Sequence, residues 1–126
     1  MAALVFDAGA LIALDRGDRA VGALLAVAAQ QGKETITSSA CVAQVWRDPA
    51  RQAKLTRALG GFLESPLDAR AARRCGLLLA LSGTSDIADA DLALLTQDGD
   101  TVVTSDPDDI KRLLVVTGTQ ARILTV

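Results

Sequence analysis

The chain has 126 residues, half of them apolar, with 13 basic against 15 acidic side chains and a formal net charge of −2. That is the size of one domain able to bury its own core, and its apolar runs are cut by Gly, Asp or Arg before any could cross a bilayer. Histidine and tyrosine are absent and the aromatics are Phe6, Trp46 and Phe62, which excludes imidazole chemistry and a base-stacking platform for single strands.

The first stretch, LVFDAGALIAL, places a short apolar strand at 4–6, one carboxylate, Asp7, and then a helix over 9–14. In an open parallel sheet, ligands sit beyond the carboxyl ends of the strands, so Asp7 is a candidate site residue. Asp is equally a favoured helix N-cap, and both readings stand from this stretch alone. A second helix follows over 20–29, apolar on one side as a helix lying on a sheet should be, with Gly32 as its C-cap. Residues 35–37 are β-prone, Ser38 and Ser39 are N-cap candidates for a helix through Trp46, and Pro49 breaks the chain before a helix over 50–59.

Residues 62–65 read as an edge strand stopped by Pro66, 67–81 as a long amphipathic helix, and 86–96 as a helix after the turn Ser82 to Ser85. Asp98 and Gly99 make a turn into an apolar, β-branched strand over 101–104. Ser105 to Asp109 cap a last helix through Val116, and 122–126 is the final strand. Strand and helix alternate throughout, which predicts a single α/β domain over 1–126 with a parallel sheet between helical layers. The start carries no basic segment or cleavage site of a signal peptide, so the expected location is cytoplasmic. Cys41 and Cys75 form no CxxC pair and are expected as small buried hydrophobes.

Charge is segregated along the chain: eight acids and no base lie between Asp86 and Asp109, and seven bases against three acids between Arg47 and Arg74. Uncompensated carboxylates repel one another unless they splay into water or gather round a cation. Asp106 lies two residues past the strand 101–104, much as Asp7 follows the first strand. Asp86 and Asp89, three apart at a helix start, project from neighbouring positions, although acids in a first turn are also ordinary capping residues. Together these acids make a site for a hard divalent ion the economical account.

Four pieces carry a resemblance: VFDAGALIAL, SSACVAQVWR, SDIADADLALL and VVTSDPDDIKRLL, in that order and spanning nearly the whole chain. They resemble the PIN domain and, more narrowly, the VapC-type toxin ribonucleases. The resemblance implies a three-layer α/β/α fold with a mostly parallel central sheet, Mg²⁺ or Mn²⁺ held by acids, and endonucleolytic cutting of single-stranded or looped RNA. It also implies a homodimer and an antitoxin partner. By motif, Asp7, Asp89 and Asp106 take the acid positions, with Asp86 beside Asp89 and Asp109 as a further candidate. Where the family carries Glu in the SSACVAQVWR helix this chain has Gln44, whose amide accepts hydrogen bonds but supplies neither charge nor a base.

Three readings of function follow. The first is a metal-dependent endoribonuclease with Asp7, Asp86, Asp89 and Asp106 on the ion and Gln44 positioning water. Arg47, Arg51 and Lys54 would track the RNA backbone if one helix carried them, although such a triplet is equally a solvated face, and Ser105 or Thr104 would bind a phosphate or a ligand acid. The second, motivated by Gln44, is the same fold binding RNA or protein without turnover. The third, a phosphoryl-receiving domain, is disfavoured because Asp7 lacks a neighbouring acid and a later strand-end Lys. Trp46 is expected as a core anchor or interface residue.

Overall fold

In a computed structural model that describes residues 2–126, five strands form one parallel sheet flanked by seven helices. The elements in chain order are β1 (Leu4–Phe6), α1 (Ala8–Asp15), α2 (Arg19–Gln30), β2 (Thr35–Ser38), α3 (Ser39–Val45), α4 (Ala53–Leu59), β3 (Leu63–Ser65), α5 (Ala69–Ser82), α6 (Ile87–Leu95), β4 (Thr101–Thr104), α7 (Pro107–Thr117) and β5 (Arg122–Thr125). The strand order is β3-β2-β1-β4-β5. The chain winds outward from β1 to β3 on one side, then crosses to β4 and β5 on the other. With right-handed crossovers this sends α1 to α4 to one face and α5 to α7 to the other, and α1 accordingly packs on α2, α3 and α4 while α5, α6 and α7 pack on one another.

β1 is central and wholly buried because both its faces meet a helical layer, which is why it reads as an unbroken apolar run. Phe6, Leu11, Leu55, Leu92, Ile110 and Leu113 are the largest fully buried side chains. Phe6 and Phe62 meet edge to face with ring centroids 5.1 Å apart. The two edge strands, β3 and β5, are short and mostly exposed, the usual way of blunting an edge.

α2 packs on α1 and turns Val21 and Ala28 into the core, with Leu24 and Leu25 partly buried beside them. One local expectation needs correction. The helix expected over 50–59 begins at Ala53, because the preceding loop is organised by a side chain. Gln52 Oε1 accepts the N–H groups of Arg47 and Asp48 (2.8 and 3.0 Å), and its Nε2 donates to Val45 O (2.8 Å). Gly32, with φ of +66°, takes the left-handed position one residue after the cap of α2 at Gln31. The caps at Ser38, which accepts Cys41 N–H (3.0 Å), and at the left-handed Gly118 are as expected.

Candidate metal centre

The order in which the chain adds strands reverses between β1 and β4, and crevices open beyond the carboxyl ends of parallel strands at such a switch point. Phe6 is paired with Val103, so Asp7, one residue on, lies beside Thr104 at the end of β4. The Asp7 N–H donates to Val103 O (3.1 Å). The Thr104 hydroxyl donates to Asp7 Oδ2, while its oxygen accepts the Asp106 N–H (2.8 Å). One buried threonine therefore ties the first acid to the backbone of the second. Asp7 Oδ1 accepts Ala10 N–H (2.8 Å). The carboxylate that caps α1 thus also accepts a hydrogen bond from the end of β4. Asp7 is 3% exposed, and burial pushes its carboxyl above the usual range, with Asp106 adding to the rise and the hydrogen bonds from Thr104 and Ala10 opposing it.

Gly9 brings the two strand ends together. A Cβ built on it would lie 1.8 Å from Ser105 Oγ and 2.7 Å from Ser105 Cβ, so the turn after β4 rests directly on the first turn of α1. Only a residue without a side chain permits that approach.

Around this junction, Asp89, Asp106 and Asp109 each offer one carboxylate oxygen, all within 4.8 Å of one another. Asp89 comes from the first turn of α6; Asp106 is the N-cap of α7 but makes no side-chain cap bond, which leaves its carboxylate free; Asp109 follows in the first turn of α7. Burial pushes Asp89 up to about 7, with Asp86, Asp7, Asp106 and Asp109 all adding to the rise. Asp109 is pushed up by Asp106 beside it, and Arg112 opposes this. Asp86 caps α6 by accepting Asp89 N–H (2.9 Å). A cavity of 230 Å³ lined by Asp86, Asp89, Asp109, Arg112, Thr84 and Ser85 opens here.

The remaining candidates lie on and after α3, which packs against α1 and α6. Gln44 is exposed on α3, and its side chain makes no hydrogen bond among the described residues. Arg47 donates to Ala43 O (3.1 Å) and Trp46 O (2.7 Å) at the end of α3. Arg51 sits in the loop near Asp48 (3.7 Å), and Lys54 Nζ lies against Gly17 beyond the end of α1. No single helix carries the three. Lys54 is at the end of α1 opposite to Asp7, and eight helical residues span about 12 Å. Trp46, 36% exposed, borders a groove with Val42, Ala43 and Leu59.

Three of the eight clustered acids serve other ends. Asp100, buried ahead of β4 at the opposite end of the sheet, accepts Ala3 N–H and Gln97 N–H (both 2.9 Å), and Asp98 accepts Gln120 N–H (2.8 Å). Asp91 is buried, receives the Cys75 thiol at 3.7 Å, and has one carboxylate oxygen without a partner among the described residues. Two residues past Asp89 on a helix, it is turned away by about 200°, and burial pushes it up. Cys41 and Cys75 are buried, with thiols pushed up to about 12 and about 11, as expected of inert small hydrophobes. Arg112 was not singled out in the sequence; its position three residues after Asp109 on one helix face was the available signal.

An oxygen-only set of crowded carboxylates suits a hard divalent cation; the rise at Asp89 comes first from burial and then from the neighbouring acids, whose repulsion such an ion would relieve. Since the folded value near 7 exceeds the ordinary carboxylate range, the metal-free native state holds a proton that the unfolded chain releases. Stability from that proton is present at acid pH and is lost as pH rises from about 4 to about 7. Urea denaturation should show the metal-free protein about 1–2 kcal/mol less stable at pH 8 than at pH 5.5, after allowance for solvent screening at a partly exposed group. Saturating Mn²⁺ should remove that difference, and Asp89→Asn should flatten it; equal stability at both pH values would contradict the crowding.

No protein-family model matches the chain, and no curated protein matches its sequence. In structure it is similar to a chain of VapBC2 from Rickettsia felis bound to a DNA fragment from their promoter. The TM-score is 0.69, over 96% of this chain and 98% of that one, at 14% identity. The fold is PIN-like. Asp7 and Asp106 follow β1 and β4, and Asp89 lies in the first turn of α6. No described helix is long and apolar enough to cross a membrane.

Proposed function

We propose that the chain is a metal-dependent endoribonuclease, the toxin half of a toxin–antitoxin pair. The observation that carries this reading is the approach of Asp89, Asp106 and Asp109 within 4.8 Å, next to buried Asp7, at the switch point of a PIN-like sheet. Asp7, Asp89 and Asp106 would hold Mg²⁺ or Mn²⁺, assisted by Asp86 and Asp109. When bound, such an ion supplies positive charge for a phosphoryl oxygen and lowers the pKa of water. The chain's part is orientation. Thr104 and Ala10 fix both oxygens of Asp7 in advance, and the cap bond from Asp89 N–H fixes Asp86.

Gln44, exposed and away from hydrogen-bonding partners, motivates the second reading, a PIN-like module that holds RNA or protein without turnover. One assay separates the two. Single-stranded RNA incubated with the protein and Mn²⁺ should be cut internally, and EDTA should stop the cutting; RNA bound but left intact would favour the second reading. The pairing in VapBC2 supports a protein partner.

The homodimer belongs to the same proposal. Leu77 and Leu81 on α5 are 69% and 76% exposed and, with Val116 of α7, line an apolar depression of 380 Å³. Burial of such side chains between two copies contributes roughly 1.5–3 kcal/mol each. Light scattering should give twice the 13.0 kDa chain mass, and Leu81→Asp should halve it; a monomer at high concentration would refute the pairing.

A further inference from the structure

The acidic cavity has one basic wall. Arg112, on α7, borders it together with Asp86, Asp89 and Asp109 and is close enough to Asp109 to oppose that carboxyl's upward shift. Yet Arg112 forms no ion pair and no side-chain hydrogen bond among the described residues, where the ion pair within 4 Å is Arg51 with Asp48. Arg73, by contrast, spends its guanidinium on a carbonyl of its own helix, and Arg47 spends its own on the carbonyls of Ala43 and Trp46 at the end of α3. The neighbouring Lys111 lines a different groove, on the side of β5.

This arrangement answers an electrostatic difficulty. Ionised Asp7, Asp86, Asp89, Asp106 and Asp109 would carry five negative charges, and a single divalent ion cancels two of them. A phosphodiester approaching that centre still meets net negative charge and is repelled. A planar guanidinium at the rim, with its donors uncommitted, matches two oxygens of one phosphate at once.

Resting on the ribonuclease reading above, we infer that Arg112 is the residue that binds the RNA phosphate at this centre. It acts on bound substrate and opposes the metal, because a cation three residues from Asp109 raises the local potential felt by a divalent ion. Removal of Arg112 therefore has two effects of opposite sign. RNA binding weakens and Mn²⁺ binding strengthens, a pair that mere loss of structure does not produce. Arg112 is exposed, so its replacement leaves the core untouched.

The test uses the full chain and a single-stranded RNA oligonucleotide. Binding is measured with Mn²⁺ across a salt series on an Asp7→Asn background that suppresses cutting, and Mn²⁺ affinity and kcat/KM on the otherwise unmodified chain. Arg112→Gln should weaken RNA binding roughly tenfold, the low end for a charge-assisted hydrogen bond, and lower the salt slope by about 0.7. Mn²⁺ should bind several-fold tighter, with kcat/KM lost mainly through KM. Arg112→Lys should keep the salt slope but lose part of the affinity, since the fork is gone. Unchanged RNA affinity and slope, or weaker Mn²⁺ binding, would overturn the assignment even with an active parent enzyme. A parent chain that neither cuts nor binds RNA would overturn the ribonuclease reading as well.

Discussion

Asp7→Asn should reduce Mn²⁺-dependent RNA cleavage by at least about a hundredfold while leaving the protein as stable as its parent or more so. The expectation rests on two separable jobs of one carboxylate. As the N-cap of α1 it accepts Ala10 N–H, and Asn caps about as well as Asp. As an acid it is buried at 3% exposure, accepts the Thr104 hydroxyl and adds to the field at Asp89. An amide retains the first job and abolishes the second. It also relieves the cost of burying a charge. Losing outer partners of a metal site commonly costs tenfold to a hundredfold, and a residue offered to the ion itself should cost no less. The measurements are RNA cleavage and calorimetric Mn²⁺ binding, set against the thermal midpoint without metal. Retained cleavage and unchanged Mn²⁺ affinity, with the midpoint kept, would mean that Asp7 is a cap alone.

Gly9→Ala should destabilise the chain by about 1–3 kcal/mol, as overpacking does, and weaken Mn²⁺ binding although residue 9 bears no ligand. The added Cβ would meet Ser105 Oγ at 1.8 Å and Ser105 Cβ at 2.7 Å. Rotating the hydroxyl away relieves only the first contact, so the turn carrying Asp106 must lift from α1. That turn is also pinned through Asp106 N–H to Thr104, and its displacement separates Asp106 from Asp89. Adding Ser105→Gly, which removes both clashing atoms, should restore much of the stability and the affinity. The double variant thereby distinguishes the steric contact from the general helix preference of Ala over Gly, which runs the other way. Urea denaturation and Mn²⁺ titration of the single and double variants read the coupling. Simple additivity would show that Ser105 and Gly9 do not press on each other.

Much of this molecule is written locally. The β-branched run at 101–104 becomes β4, Ser38 caps α3, and both cysteines are buried, because strand preference, capping and burial of small apolar groups depend on a few neighbouring residues. The loop held by Gln52 was not legible, since its three hydrogen bonds join positions that no periodic pattern links.

The same division runs through the candidate site. The sequence by itself determined that carboxylates follow β1 and β4, that acids open α6 and α7, and that oxygen ligands are what this chain has to offer a cation. Only the tertiary structure decided which acids meet. It drew Asp109 to Asp89 and Asp106, sent Asp91 round the helix toward Cys75, kept Asp98 and Asp100 for the far end of the sheet, and set Arg112 at the cavity wall. The physical reason is that convergence depends on strand order and on angular position round a helix. Both are fixed by crossovers and by contacts such as that of Gly9 with Ser105, between residues nearly a whole chain apart.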